Sequence, residues 1–280
     1  MPSKIIAKKE LIPGRTSLML LDAPHIAATA KPGNFVILRV GEKGERFPLT
    51  IADLDEKKGT ITIVFLVMGK STAVLNAMRE GESVFDLCGP LGKATRIHKI
   101  GTVVCVGGGT GVAAMHHIAK GHHLAGNHVV AAIGARSENL LLFRRELEAF
   151  CDEVLVATDD GSTGHKGLVT EVVEQRLAAD KAVGEVVAVG PVPMMSAVVK
   201  TVKPFQVPVT VSLNSMMVDG IGMCGACRVS VGGETKFTCV DGPEFDGYLV
   251  NFAELQQRLA ALKDKEKLSY DNYCKCGHHE

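Results

Sequence analysis

TVVCVGGGTG, residues 102–111, is a short apolar run that ends in a cluster of glycines. The residues that follow it, Val112–Leu124, have the composition of a helix. A strand that turns through glycines into a helix presents free N–H groups and the positive end of the helix dipole, which together favour a phosphate. We therefore predict a pyrophosphate site at Gly107, Gly108, Gly109, Thr110 and Gly111. A tight turn without a ligand is the alternative, because Val112 stands where the G-x-G-x-x-G pattern has its third glycine.

Apolar strands and helices alternate from this motif to residue 213. The predicted strands are Thr102–Val106, His128–Gly134, Glu153–Thr158, Glu185–Val189 and Val207–Leu213, and the predicted helices are Val112–Leu124, Leu140–Phe150, Leu168–Ala179 and Met194–Val202. The strands are continuous apolar runs, as in a sheet covered by helices on both faces, so we predict a doubly wound parallel sheet. Asp159 and Gly190-Pro191 each follow a strand at the carboxyl edge, where such sheets bind ligands, and a simple turn is an equal alternative for both.

The nucleotide preference of this sheet stays open from these residues. The second strand ends in Ala135-Arg136, where dinucleotide-binding folds often have an acidic residue that binds the ribose. An arginine at this position is compatible with a 2′-phosphate, so NAD(H) and NADP(H) both remain candidates.

Residues 1–97 have a different pattern of predicted elements, in which short strands are separated by turns. The predicted strands are Lys4–Leu11, Thr16–Asp22, Asn34–Val40, Pro48–Leu54, Thr60–Met68 and Ser83–Leu87, with one helix over Ser71–Arg79. Short strands at this spacing predict a small barrel or sandwich. Candidates for holding a diphosphate are Arg46, Thr50, Ser71 and Thr72. The alternatives are a solvated surface charge for the arginine and an ordinary helix N-cap for the serine.

The strongest chemical signal is the spacing Asp219-x4-Cys224-x2-Cys227-x11-Cys239. Plant-type two-iron, two-sulfur sites use C-x4-C-x2-C followed by a more distant cysteine, so every spacing fits, with an aspartate in the first position. Glycines at 220, 222 and 225 let the backbone wrap around a small cluster. We predict that all four residues bind iron. Two alternatives stay open: three structural thiols, or a zinc site completed from Cys274, Cys276, His278 or His279.

Composition excludes several classes of function. The chain has 280 residues with 31 basic and 31 acidic side chains, and its hydrophobic fraction of 46% is typical of a globular protein. Zero net charge argues against nucleic acid or an anionic membrane as the main partner. No signal peptide or membrane span is recognisable, which predicts a cytoplasmic protein whose eight cysteines do not form a disulfide framework.

The other polar residues indicate no acid–base machinery, and no catalytic residue is predicted. We interpret four histidines as the solvated face of a helix: His116, His117, His122 and His123. Four methionines are interpreted as packing residues: Met194, Met195, Met216 and Met217. Phe252–Leu268 is predicted to form one amphipathic helix.

This combination of motifs resembles the ferredoxin–NADP reductase superfamily over residues 3–250. The resemblance rests on PLT at 48–50 and GKST at 69–72 in the barrel, GGGTG and GP-x-P-MM in the sheet, and the cysteine-rich loop. Within the superfamily, the chain is similar to the electron-transfer subunits of dihydroorotate dehydrogenase. It is more similar still to the small subunits of electron-bifurcating NADH-dependent ferredoxin:NADP oxidoreductases, because these carry an aspartate in place of one cysteine ligand.

The resemblance implies a β barrel plus α/β architecture in four parts: an FAD-binding β-barrel domain over 1–97, an NAD(P)-binding α/β domain over 98–210, a 2Fe-2S cluster module over 211–250, and a C-terminal helix and tail over 251–280. It implies that FAD lies against Arg46, Pro48, Leu49, Thr50, Gly69, Lys70, Ser71 and Thr72. Two positions depart from the superfamily, since Leu49 stands where many members have a tyrosine and Phe47 where an arginine is common.

The function implied is a relay of electrons between NAD(H), FAD and the cluster, to or from a large flavin and iron–sulfur subunit and, through that subunit, ferredoxin. The first alternative is the electron-transfer subunit of a dihydroorotate dehydrogenase, which has the same chemistry and a different partner. The second is a zinc-stabilised nucleotide-binding module without redox activity.

Overall fold

The structure, a computed structural model, describes residues 2–275. Its N-terminal part contains seven strands and two short helices: β1 (Ser3–Ile12), β2 (Thr16–Asp22), α1 (Pro24–Ala27), β3 (Phe35–Arg39), β4 (Arg46–Asp55), β5 (Thr60–Leu66), α2 (Lys70–Ala77), β6 (Ser83–Val84) and β7 (Asp86–Leu91). The strands pair antiparallel in the order β6-β1-β2-β5-β4-β3-β7 and form a nearly closed barrel. The predicted barrel is therefore confirmed, with its last predicted strand divided between β6 and β7.

The barrel forms because alternate apolar residues of its strands point inward. Ile61, Ile63 and Phe65 on β5 are buried, and they share one core with Met19 and Leu21 of the neighbouring β2. Alternation of this kind is the period-2 pattern of a strand with one buried face.

The second part is a parallel sheet with helices on both faces. Its elements are β8 (Thr102–Gly108), α3 (Gly111–Leu124), β9 (His128–Ala135), α4 (Arg144–Glu148), β10 (Glu153–Thr158), β11 (His165–Lys166), α5 (Val169–Ala179), β12 (Val183–Val189), α6 (Val192–Val202) and β13 (Val209–Ser212). The strands are parallel in the order β11-β10-β9-β8-β12-β13. One hydrophobic core lies under α5 and α6 and another under α3, so the doubly wound sheet is confirmed.

The C-terminal part adds a hairpin, an edge strand and two helices: β14 (Arg228–Val231), β15 (Glu234–Phe237), β16 (Glu244–Asp246), α7 (Phe252–Ala260) and α8 (Lys263–Lys275). β14 and β15 pair with each other. β16 pairs antiparallel with β13 and so extends the parallel sheet by one strand. The cysteine-rich segment is therefore tied to the sheet at its far end.

Two predicted helices are wrong in extent. The single helix predicted over Phe252–Leu268 is two helices, α7 and α8, with a break at residues 261–262. The helix predicted over Leu140–Phe150 is reduced to α4, because Phe143 adopts a left-handed backbone conformation with φ 56° that a continuous helix does not permit.

Within residues 2–275, no helix has the combined length and apolar character that a membrane crossing requires.

Candidate functional site

The glycine loop after β8 lies directly against the turn after β12. A Cβ atom added to Gly111 would lie 2.5 Å from the carbonyl oxygen of Val189 and 2.7 Å from Cα of Gly190. Gly109, in the middle of the loop, has φ +55°. The structure thus brings Gly107–Gly111 together with Gly190-Pro191, and only glycine fits where the two backbones meet.

This pair of loops marks the point where the strand order reverses. The chain runs outward from β8 through β9 to β10, then returns to place β12 and β13 on the other side of β8. Open parallel sheets bind ligands in the crevice at the carboxyl ends of the strands at such a point. The position predicted from the sequence for a dinucleotide is therefore also the position that the topology favours.

Acidic residues line the same edge two strands away. Asp159 follows β10 and is exposed, with its backbone N–H bonded to the carbonyl of Ala135. The carboxylate of Asp160 accepts hydrogen bonds from the hydroxyl and backbone N–H of Ser162, at 2.7 and 2.9 Å, and these bonds lower the pKa of Asp160. Arg136 is exposed beside them. The structure places Asp159 at the edge, but away from the loop pair.

The predicted flavin residues lie on β4 and at the start of α2. Pro48, Leu49 and Thr50 are half-buried and pair with β3. At the other segment, the Thr72 hydroxyl accepts hydrogen bonds from the N–H groups of Met68 and Gly69, at 3.1 and 3.2 Å.

Three further side chains of this set contact other residues or solvent. Ser71 donates a hydrogen bond to Glu45, and Lys70 is exposed. The guanidinium of Arg46 donates to the carbonyl oxygen of Val218 at 3.2 Å and lies 3.5 Å from the carboxylate of Asp86. Arg46 therefore joins the barrel to the loop that leads into the cysteine segment.

The four predicted iron ligands lie in two neighbouring pairs, one in contact through its sulfur atoms and one through a backbone hydrogen bond. The thiols of Cys227 and Cys239 are buried, with their sulfur atoms 3.1 Å apart. The Asp219 carboxylate accepts hydrogen bonds from the backbone N–H groups of Cys224 at 2.6 Å and Ile221 at 2.9 Å. Glycines 220, 222 and 225, all with positive φ, form the turns between them.

The chemistry of this donor set fits an iron–sulfur cluster. Burial and the neighbouring thiol of Cys227 raise the pKa of Cys239 to about 12, so the thiol is protonated until a metal displaces the proton. Among residues 2–275, no three His, Cys, Asp or Glu side chains are grouped so as to hold one metal ion. A two-iron cluster divides its ligands between two ions, which matches two separate pairs.

The zinc alternative involves residues at the C-terminus. Cys274 lies in α8 and is exposed. Cys276, His278 and His279 lie outside the described residues.

The cysteine loop packs against the barrel. Met217, Cys227 and Cys239 share a hydrophobic cluster with Phe35 and Ile37 of β3. Cys88 and Leu91 of β7 pack against the same cluster. The loop therefore covers β3, which pairs with the flavin strand β4, and β7 on the far side of β3.

The interpretation of the histidines as a solvated face is wrong for three of the four. His116 and His117 are 7% and 6% exposed, His122 is fully buried, and His123 alone of the set is exposed. The three histidines are buried because α3 itself is buried on nearly every side, as Met115, Ile118 and Ala119 also show. A helix that is apolar all round is a buried helix, so the apolar neighbours of the histidines indicated their burial.

Glu244 and Thr95 form a second contact that the sequence did not predict. The Thr95 hydroxyl donates to the Glu244 carboxyl at 2.6 Å, and burial together with the nearby Glu185 carboxylate raises the pKa of Glu244 to about 7. This bond joins the segment between barrel and sheet to β16. No local pattern predicts it, because the partners are 149 residues apart.

Comparison with known proteins identifies two of the three parts. Residues 105–200 match the oxidoreductase NAD-binding domain, and residues 214–251 match the iron–sulfur cluster binding domain of dihydroorotate dehydrogenase B. The chain is therefore an oxidoreductase subunit with an NAD-binding domain and an iron–sulfur domain. The second match covers all four predicted iron ligands.

Several relatives align over most of the chain. A Thermotoga maritima protein named as a dihydroorotate dehydrogenase B (NAD(+)) electron transfer subunit homolog is 44% identical over 255 residues, which is 91% of this chain and 90% of that protein. The corresponding electron transfer subunit of Geobacillus thermodenitrificans is 35% identical over 250 residues, 86% of this chain and 94% of that protein.

Solved structures give the same result. A structure described as that of an NADH-dependent reduced ferredoxin-NADP oxidoreductase, in work on flavin-based electron bifurcation, matches with a TM-score of 0.92 and 41% identity, over 97% of this chain and 98% of that one. A ferredoxin reductase of carbazole 1,9a-dioxygenase, with a TM-score of 0.64 and 21% identity over 75% of this chain and 68% of that one, shares the fold. The expected ferredoxin reductase-like fold is confirmed. The chain belongs to the family of dihydroorotate dehydrogenase B electron transfer subunits and their homologues.

Proposed function

We propose that the chain passes electrons between NAD(H), FAD and a two-iron, two-sulfur cluster, to or from a large partner subunit. The observation that carries the proposal is the central position of the barrel. On one side, α3, which starts at the dinucleotide loop, packs on β4. On the other side, the cysteine loop packs on β3 and β7. A bound flavin would accept one hydride, which carries two electrons, and release those electrons one at a time. NAD(H) exchanges electrons only in pairs and an iron–sulfur cluster only singly, so the two need a flavin between them.

The barrel offers a flavin site between β4 and the start of α2. Gly69 precedes that helix, and a Cβ atom added to it would meet no atom within 4 Å, so the space in front of the helix N-terminus is open. The residues that would hold FAD are Arg46, Pro48, Leu49, Thr50, Gly69, Lys70, Ser71 and Thr72. Their contribution is binding and orientation, so no acid–base residue is required.

Each of the two ligand pairs would hold one iron of the cluster. Asp219 and Cys224 would hold the outer iron, since Cys224 is exposed, and Cys227 and Cys239 would hold the buried one. A carboxylate oxygen is a harder ligand than a thiolate, so Asp219 would alter the reduction potential of the cluster.

The dinucleotide would bind at Gly107–Gly111 and Gly190-Pro191, with its adenosine end toward Asp159. The names of the relatives favour NAD(H).

A large partner subunit would dock on the surface around the outer ligand pair. Four apolar side chains are exposed there: Val218, Ile221, Met223 and Val240. Met223, beside Cys224, is 83% exposed. Exposed apolar groups that surround a redox centre are typical of a protein docking site.

Similarity to the 41% identical NADH-dependent reduced ferredoxin-NADP oxidoreductase structure, described in work on electron bifurcation, favours a bifurcating enzyme whose partner subunit would exchange electrons with ferredoxin. The names of the relatives favour a second candidate, in which the partner is a dihydroorotate dehydrogenase.

Seven described cysteines are free thiols, which fits a reducing compartment such as the cytoplasm.

The experiment is purification under anaerobic conditions with analysis of flavin, iron and acid-labile sulfide and identification of the co-purifying chain. The expected protein is yellow-brown, with flavin absorption and a broad cluster band. A partner with four-iron clusters supports the bifurcating enzyme, and a TIM-barrel partner supports the dihydroorotate dehydrogenase. A colourless reconstituted protein, or zinc without sulfide, contradicts the proposal.

A further inference from the structure

α3 connects the two ends of the proposed hydride path. It begins at Gly111, directly after the dinucleotide loop, and its side lies along β4. β4 carries the predicted flavin residues at its start and continues through Ile51 and Ala52 to Asp53. Ala52 of the barrel and Ala113 of α3 are both buried in one small cluster at this contact. A displacement of α3 along β4 would therefore move the dinucleotide loop relative to the flavin strand.

Two polar contacts hold α3 at one position on β4. The ring nitrogen Nδ1 of His117 lies 3.0 Å from the carbonyl oxygen of Ile51, and because a carbonyl only accepts, Nδ1 must carry the proton. One turn further along the helix, the Lys120 ammonium lies 2.9 and 3.2 Å from the two carboxylate oxygens of Asp53. Both contacts join the same stretch of α3 to the same stretch of β4, so a shift of either element by one residue would break both.

The acceptor of the His117 bond lies at an irregularity in β4. The pairing of β4 with β5 shifts register between Ile51 and Asp53, so Ala52 is an extra residue on the β4 side. Such a bulge bends a strand and redirects its backbone groups. The neighbouring His116 lies close to the backbone of Ala52, and its ring packs on that of Phe143 at 5.2 Å between centroids. Both histidines therefore lie at the bulge.

We propose that His117 is a positioning residue, which holds the dinucleotide-binding unit in register with the flavin strand through its bond to Ile51. The inference rests on the proposed function, since it concerns the alignment of nicotinamide and flavin. Hydride transfer requires reacting atoms within about 3.5 Å, and a misplacement of about 1 Å costs up to about a hundredfold in rate. A bond that fixes the register of the two units therefore acts on the rate of flavin reduction.

Burial of the same side chain makes the junction sensitive to acid. Burial lowers the pKa of His117 from its usual value near 6.5, and Lys120 and His116 lower it further. Asp53 and the Ile51 carbonyl oppose this shift. Burial also lowers the pKa of His116, which has Asp53 and Lys120 nearby and Glu146 facing it from α4. Because the folded pKa is lowered, the unfolded chain takes up protons first, and stability is lost as pH falls below about 6.5.

The test compares three variants of the holoprotein. His117→Leu removes the donor and keeps an apolar side chain, whereas His117→Asn keeps an N–H donor near the Nδ1 position. His123→Leu is the matched control, since His123 is the exposed histidine of the same helix. Stopped-flow measurement of flavin reduction by NADH gives the rate, and the temperature of unfolding as a function of pH gives a readout that needs no NADH.

We expect His117→Leu to slow flavin reduction about tenfold at saturating NADH. His117→Asn should restore most of that rate, and His123→Leu should match the wild type. The acid-dependent fall of unfolding temperature should weaken in both His117 variants. If His117→Leu reduces its flavin at the wild-type rate, the positioning role is wrong while the proposed function stands. If NADH fails to reduce the wild-type flavin, the proposed function fails and the positioning role with it, and the unfolding curves then report only on the contact.

Discussion

The barrel has two junctions with the rest of the chain, and they are built in opposite ways. The junction between β4 and α3 is sealed by buried histidines, the bond of His117 to Ile51 and the ion pair of Lys120 with Asp53. The junction with the cysteine loop is apolar inside, and its outer rim exposes Met223 and Ile221. The junction of β4 with α3, the sealed junction, fixes an alignment within the chain. The junction with the cysteine loop, the open junction, leaves a redox centre accessible to a second protein.

The largest effect is expected from a variant that removes a cluster ligand at the open junction. Cys239→Ser removes a buried ligand from the inner pair, and we expect loss of the cluster, because the hydroxyl is a poor replacement for a thiolate. The electron paramagnetic resonance signal of the reduced cluster should disappear while NADH still reduces the flavin. Cys105→Ser, at a buried thiol of β8 outside the loop, is the control and should keep the signal. A retained cluster in Cys239→Ser would contradict the ligand assignment.

A smaller effect is expected from the dinucleotide side of the sealed junction. Gly111→Ala places a Cβ atom against the backbone of Val189 and Gly190, so the two loops must move apart. We expect KM for NADH to rise about tenfold or more, a loss of roughly 1.4 kcal/mol of binding free energy. Gly41→Ala, where a Cβ atom meets nothing within 4 Å, should leave KM unchanged. Equal KM values for the two variants would show that the glycine loop does not take part in NADH binding.

The outer rim tests whether the open junction binds the partner. Met223→Lys puts a charge on the most exposed apolar side chain of the rim, and we expect affinity for the partner subunit to fall about tenfold. Leu124→Lys, at a similarly exposed leucine at the end of α3, is the control and should bind normally. The dissociation constant is measured with the purified subunits. Unchanged affinity in Met223→Lys would place the partner elsewhere.

The last expected effect is on stability alone, and it concerns Glu244, where the cysteine segment returns to the sheet. Its pKa is raised to about 7, so its proton is kept in the folded protein and lost in the unfolded chain above its usual value of 4.5. Stability therefore falls as pH rises through about 7. Glu244→Gln keeps the acceptor for Thr95 without the charge, and we expect it to be more stable than the wild type at about pH 8, by about 2 kcal/mol.

That comparison is made by thermal unfolding across the pH range. Asp246→Asn, two residues along β16 and exposed, is the control and should follow the wild-type curve. Parallel curves for Glu244→Gln and the wild type would show that the Glu244 carboxyl does not titrate in this range.

The parts of the fold that local pattern specifies were predictable. The strand Glu153–Thr158 was placed correctly because a continuous apolar run has few alternatives inside a parallel sheet. The spacing from Asp219 to Cys239 indicated a cluster loop because ligand spacing is itself local. β16 was not predictable, because Glu244–Asp246 becomes a strand only by pairing with β13.

The sealed junction was missed for the same physical reason. The bond of His117 depends on a carbonyl 66 residues earlier in the chain, at a bulge that no turn residue marks. The shortening of the helix predicted over Leu140–Phe150 depends on the left-handed conformation of Phe143, a residue type that rarely adopts it. Contacts between distant segments decide these features, so local sequence does not reveal them.

The most direct test of the central claim is an anaerobic titration of the holoprotein with NADH, followed by optical absorption and by electron paramagnetic resonance. If the barrel carries a flavin between the dinucleotide and the cluster, the flavin absorption should bleach first, and the signal of a reduced two-iron, two-sulfur cluster should then appear in the same protein. A flavin that bleaches while an intact cluster stays oxidised at excess NADH, or a cluster that is reduced by NADH in protein stripped of flavin, would contradict the account.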